Sequence, residues 1–152
     1  HALRSRTGTL PSRIAMTDGP QSPKLRAFLQ RKARPMQTIT KLPPTDGIAP
    51  STGDLDGWVV TEGSPSMKTW VLHTATDGSM VSGIWECTKG SYHATYTAYE
   101  YVVLIKGRIV ITPDCGTPVT VQAGDAFVVE KDFKGTWKIE EDVRKHFDFV
   151  VG

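Results

Sequence analysis

The sequence predicts an all-β domain from Trp58 onward, a small antiparallel barrel. Three observations predict it. Short runs rich in Val, Ile, Thr, Tyr, Phe and Trp follow one another with period-two alternation. Turn chemistry separates them at Asp77-Gly78, Lys89-Gly90, Lys106-Gly107, Asp114-Cys115-Gly116 and Ala123-Gly124-Asp125. Glu100 opens a run of β-formers that closes at Gly107, and a second run, 108–112, follows at once. Many short strands at this spacing indicate a sandwich or barrel, in which inward and outward residues alternate.

The elements are taken in chain order. The chain has 152 residues, the size of one ordinary domain. It divides at residue 57 into a basic arm with a linker (1–57) and the barrel (58–152). Residues 1–36 carry eight Lys/Arg and a single acid, Asp18, while the rest of the chain sets ten bases against fifteen acids. A basic arm joined to an acidic body implies mutual attraction. The chain opens on His1, and its native start is left open between a position before His1, Met16 and Met36. Residues 1–15, rich in Arg, Ser and Thr and free of acids, have a transit-peptide-like composition that a foreign upstream segment explains equally well.

Residues 22–34 are predicted to form one short helix. Ser22 suits the N-cap, Pro23 the first helical position, and Pro35 ends the run. Leu25, Phe28 and Leu29 share a face. Such a helix is marginal alone, so the arm is expected to dock on its own barrel or on a second copy, giving a homodimer. The arm has one aromatic, Phe28, and no interleaved stacking residues, so nucleic acid is not an expected partner. Residues 42–57, with three prolines and three glycines, read as a linker or surface wrap.

The strand candidates are 58–61, 68–75, 79–87, 91–97, 100–106, 108–112, 117–122, 125–130, 134–140 and 143–151. Apolar content of 39% and charged content of 22% are those of a soluble globular protein. No apolar run reaches membrane-spanning length and no secretory signal is seen, so no membrane association is expected. Cys87 falls in a strand and Cys115 in a turn, too few for a disulfide framework, and two unpaired thiols suit the cytoplasm.

Two motif halves carry a family resemblance that covers about residues 57–150. Glu100 and Gly107 match the first cupin motif, which has a His-x-His pair before the Glu; Gly124-Asp125 match the second. Trp70, Asp77-Gly78, Gly83-Ile84-Trp85-Glu86, Thr95-Tyr96-Thr97, Thr136-Trp137 and Val143-Arg144-Lys145-His146 resemble short single-domain cupins. That subgroup is related to ureidoglycine aminohydrolases and ethanolamine-utilisation cupins. The resemblance implies a double-stranded β-helix, or jelly-roll barrel. In metal-binding cupins three histidines and the Glu hold Fe, Mn, Ni or Zn. Here His93 falls on the first histidine position, Thr95 on the second and Gly135 on the third, while Glu130 and Asp132 replace the Pro and Gly of the second motif. One imidazole and one carboxylate are too few for a useful site, so neither a metal nor another cofactor is expected.

Alternation selects the pocket. If Glu100 points inward, so do Val102 and Leu104; His93 and Thr95 share one parity, Gly135 and Trp137 another. The candidate ligand-binding residues are therefore Trp85, His93, Thr95, Glu100 and Trp137 at the barrel mouth. Arg144, Lys145 or His93 are candidate partners for Glu100, whose burial alone would be expensive. The expected function is metal-free binding of an unidentified small metabolite. The alternatives are an enzyme of small nitrogenous metabolites using Glu100 and His93, as the resemblance implies, and a structural homodimer with a filled barrel.

Overall fold

The computed structural model describes residues 38–151 and, before them, only Pro23, which is helical and exposed. The rest of the helix expected at 22–34 and the arm's docking lie outside the described residues. Eight strands follow: β1 (Trp58–Glu62), β2 (Met67–Thr74), β3 (Met80–Cys87), β4 (Gly90–Thr95), β5 (Tyr99–Pro113), β6 (Val119–Gln122), β7 (Ala126–Val129) and β8 (Lys134–Val150). All their pairings are antiparallel. The fold is the expected all-β jelly roll, with one difference in how its layers are made.

The expected strands 100–106 and 108–112 are a single strand, β5, and 134–140 and 143–151 are a single strand, β8. These two pair along their whole length, from Tyr99 opposite Val150 to Pro113 opposite Gly135. Register shifts between Leu104 and Ile109 bend the ladder without ending it. Gly107 sits at this bend with φ +91°. A turn signal in the sequence is thus a bulge within a continuous ladder.

The bend divides one sheet into two layers. The first half of β5 and the second half of β8 are flanked by β7, β3 and β2. The other halves are flanked by β6, β4 and β1. The bulge also switches parity: Glu100, Val102 and Leu104 point inward before it, Ile109 and Ile111 after it. Trp85, Met67 and Phe147 of the first layer pack with Trp58, Tyr92 and Trp137 of the second in one continuous core. Trp58 lies 5.6 Å from Trp85 and 5.0 Å from Trp137, centroid to centroid.

The segment before β1 is a strap tied to the barrel. Ile48 accepts a hydrogen bond from Trp70 Nε1 at 2.8 Å, Ser51 bridges to Thr69, and Asp54 accepts one from Tyr92 Oη at 2.9 Å. Cys87 is buried, and burial pushes its thiol up to about 12; Cys115 is exposed, and both are free. No helix among the described residues is long and apolar enough to cross a membrane.

A Cβ at Gly107 would meet the carbonyl oxygens of Asp142 at 2.4 Å and Glu141 at 2.9 Å, on a backbone already in the left-handed region. Gly107→Ala is therefore expected to cost about 2–3 kcal/mol, since strain and overpacking add. Urea denaturation checks this, and a loss within about 0.5 kcal/mol of wild type, the range of ordinary surface changes, would show that the bend tolerates a side chain.

Candidate functional site

Inward parity on β5 places Glu100 in the core with no exposed surface. An isolated carboxylate there would be costly, and the fold supplies two partners. Lys145 stands between Val143 and Phe147 on the inward face of β8 and is 1% exposed. Its Nζ donates to Glu100 Oε2 at 2.9 Å. Tyr96, two residues beyond Ala94 and on the same inward parity, donates from its hydroxyl to Glu100 Oε1 at 2.8 Å.

Aromatic rings enclose this pair. The Lys145 ammonium lies 4.4 Å from the ring centroid of Trp85, 4.6 Å from that of Trp137 and 6.0 Å from that of Trp58. The negative faces of the indoles attract the cation where water is excluded. Burial holds the Lys145 ammonium below the ordinary lysine value, and Glu100 pulls it the other way. Tyr96 is held well above the ordinary tyrosine value, first by burial and then by the Glu100 charge.

Outside this box the two layers part in an open cleft of about 570 Å³. Trp58 and Tyr96 line it from one layer, Phe147 and Phe149 from the other, and Asp56 adds an acidic residue. Tyr96 thus joins the cleft wall to the ion pair. Thr69 Oγ1 and Trp137 Nε1 are buried without a hydrogen-bond partner among the described residues. Thr69 belongs to the cleft wall, but its hydroxyl oxygen is itself buried and turned away from the open volume.

The five predicted residues do not come together. Trp85, Glu100 and Trp137 are interior, but the two indoles pack around Lys145 and do not line the cleft. His93 faces the other way. On β4 it is Tyr92 and Ala94 that are fully buried, so positions 93 and 95 lie on the opposite face. His93 Nε2 pairs with Asp114 Oδ1 at 2.9 Å instead. Thr95 is half-buried and reaches only the cleft wall. The inward pair is Ala94 and Tyr96, one residue along from the pair chosen by matching the motif's histidines. Lys145 shares its strand parity with the apolar Val143 and Phe147, a signal readable in the sequence. Trp58, Phe147 and Phe149 carried no motif signal.

The bent double layer and its inward Glu define a cupin. Residues 74–147 match the EutQ-like cupin domain. No curated protein matches the chain. Solved structures share the fold. The EutQ protein of Clostridium difficile is 20% identical with a TM-score of 0.53, over 58% of this chain and 70% of that one. A putative ethanolamine utilization protein Q of Salmonella typhimurium is 20% identical with a TM-score of 0.52, over 65% of this chain and 77% of that one. A DUF861-family protein of unknown function from Pseudomonas syringae pv. tomato is 23% identical with a TM-score of 0.53, over 60% of this chain and 44% of that one.

The cupin metal does not fit these residues. Both Glu100 oxygens are engaged, by Lys145 and Tyr96, and His93 points away. At the third histidine position, a Cβ on Gly135 would meet the Thr112 carbonyl oxygen at 2.4 Å. Among the described residues no three His, Cys, Asp or Glu side chains gather as a ligand set. One departure from the motif keeps its backbone. Asp132, at the position of the second motif's Gly, holds φ +68°, a conformation Asp tolerates better than most residues.

Breaking the ion pair tests the box. Glu100→Gln and Lys145→Met are each expected to cost about 3–5 kcal/mol at neutral pH, because each leaves one buried partner uncompensated. The double variant should lose less than the two single losses together. With the folded Lys145 value below 10.5, the unfolded chain binds more protons between the two values, so stability rises with pH across that interval. Glu100→Gln removes the upward pull and widens the interval, so its deficit should shrink as pH rises toward 10.5. Denaturant titrations across pH check both, and strictly additive losses with a constant deficit would contradict the coupling.

Proposed function

We propose that this domain is a metal-independent cupin that binds a small molecule in the cleft at the barrel mouth. The observation that carries this reading is the cleft itself. It has a volume of about 570 Å³, within the range of small-molecule sites. It has aromatic walls from both layers, with the Asp56 carboxylate among its few charged or polar lining groups. Apolar walls with few polar groups are the usual makeup of a ligand pocket. The barrel interior beneath is filled by Trp85, Trp137 and the ion pair, so the proposed ligand meets other residues at the mouth than most of those expected from the sequence.

Acid–base work shared by Glu100 and His93 finds no support in this arrangement. The two side chains lie on opposite faces of the sheet, and each already has a partner. Binding is therefore favoured over that chemistry.

A library screened by thermal shift tests the reading, with a variant that fills the cleft as its control. Ala98 lies in the bend between β4 and β5 and lines the cleft, so Ala98→Trp occupies its volume. A ligand at a hundredfold excess over its Kd stabilises wild type by about 2.7 kcal/mol. The expected outcome is a compound that raises the melting temperature of wild type and leaves that of folded Ala98→Trp unchanged. Equal shifts in both proteins, or no shift with any compound, would count against the cleft.

A further inference from the structure

Resting on that reading, we infer that the cleft takes a cationic ligand, an amine or quaternary ammonium carried on an apolar or aromatic body. The first argument is charge. Asp56 lines the cleft, and no Lys, Arg or His does. Phosphates and carboxylates would enter with no counter-charge and with one repelling carboxylate.

The second argument is the walls. Trp58, Tyr96, Phe147 and Phe149 bring aromatic surface to one open volume. Phe147 and Phe149 are 5.3 Å apart, and Tyr96 is 6.2 Å from Phe149, centroid to centroid. Rings grouped in this way with a nearby acid suit an alkylated ammonium, whose diffuse charge sheds water readily. The same molecule already seats one ammonium against indole faces, that of Lys145 against Trp85 and Trp137. A second cation–ring contact on its surface, Arg144 over Trp70 at 5.7 Å, shows the same preference. The other large recess, of about 360 Å³, is lined by Arg108, whose guanidinium is already held by Glu140 at 2.7 Å and Glu141 at 3.2 Å. It offers no comparable aromatic surface.

Three probes that share a benzyl group and differ in the charge of the head test the inference by calorimetry on the full chain: benzyltrimethylammonium, benzyl alcohol and phenylacetate. The ammonium is expected to bind about tenfold more tightly than the alcohol, with the carboxylate weakest. Asp56→Asn should weaken the ammonium about threefold to fivefold and leave the alcohol unchanged. Phe149→Leu keeps an apolar wall and removes a ring, so it should weaken the ammonium more than the alcohol. Phenylacetate binding as tightly as the ammonium overturns the inference, as does an equal effect of Asp56→Asn on all three probes. If none of the three binds while a library hit is still lost in Ala98→Trp, the cation inference falls alone. If no library compound binds at all, the cleft reading falls with it.

Discussion

The interior of this barrel is organised by the burial of one ammonium group. Lys145 is placed in the core by strand alternation, and the environment must compensate its charge. Glu100 supplies the opposite charge, Tyr96 satisfies the second carboxylate oxygen, and indole faces supply the rest. These residues come from four stretches of chain. Glu100 lies on β5, Lys145 and Trp137 on β8, Trp85 on β3, and Tyr96 just past β4. A buried pair of this kind is weak evidence for net stability, since apolar residues of equal volume often do as well. What it does require is that both layers meet in one register.

That requirement explains why a barrel lacking the motif's set of histidines keeps the motif's acid. In a cupin with a full ligand set, the Glu holds a cation bound from solution. Here the cation is a side chain of the barrel itself, and the space is closed by rings rather than by imidazoles. Glu100 is still an inward carboxylate facing a positive charge. At the mouth, Asp56 stands exposed beside the cleft that Tyr96, Phe147 and Phe149 line.

The fold was legible because alternation and glycine turns are strong local signals, and Glu100, Gly107 and Gly124-Asp125 carried the family resemblance. Legibility failed where one residue of phase matters. His93 and Thr95 matched the motif by residue type, but the face of β4 is set by Tyr92 and Ala94 packing against the core. A shift of one position exchanges the two faces of a strand. The continuity of β5 and β8 was hidden for a related reason. A Gly that bends a ladder and a Gly that ends one look alike until the neighbouring strand is seen. The cleft was beyond reach in another way, since Phe147 and Phe149 meet Trp58 and Tyr96 only after the sheet has curled.

The continuous β8 also orders the events of folding. It pairs with β3, β4 and β5, so both layers depend on it. Strands β1 and β4 have each other, and β2 and β3 have each other, but neither pair reaches its layer until residues 134–150 are available. Such distant pairings are slow to form, because loop closure precedes the contacts that reward it. On a ribosome the chain would therefore emerge as separate strand pairs with bare edges, and closure of both layers would wait for β8. During that interval the exposed edges, rather than the finished barrel, are the part of the molecule most open to mispairing.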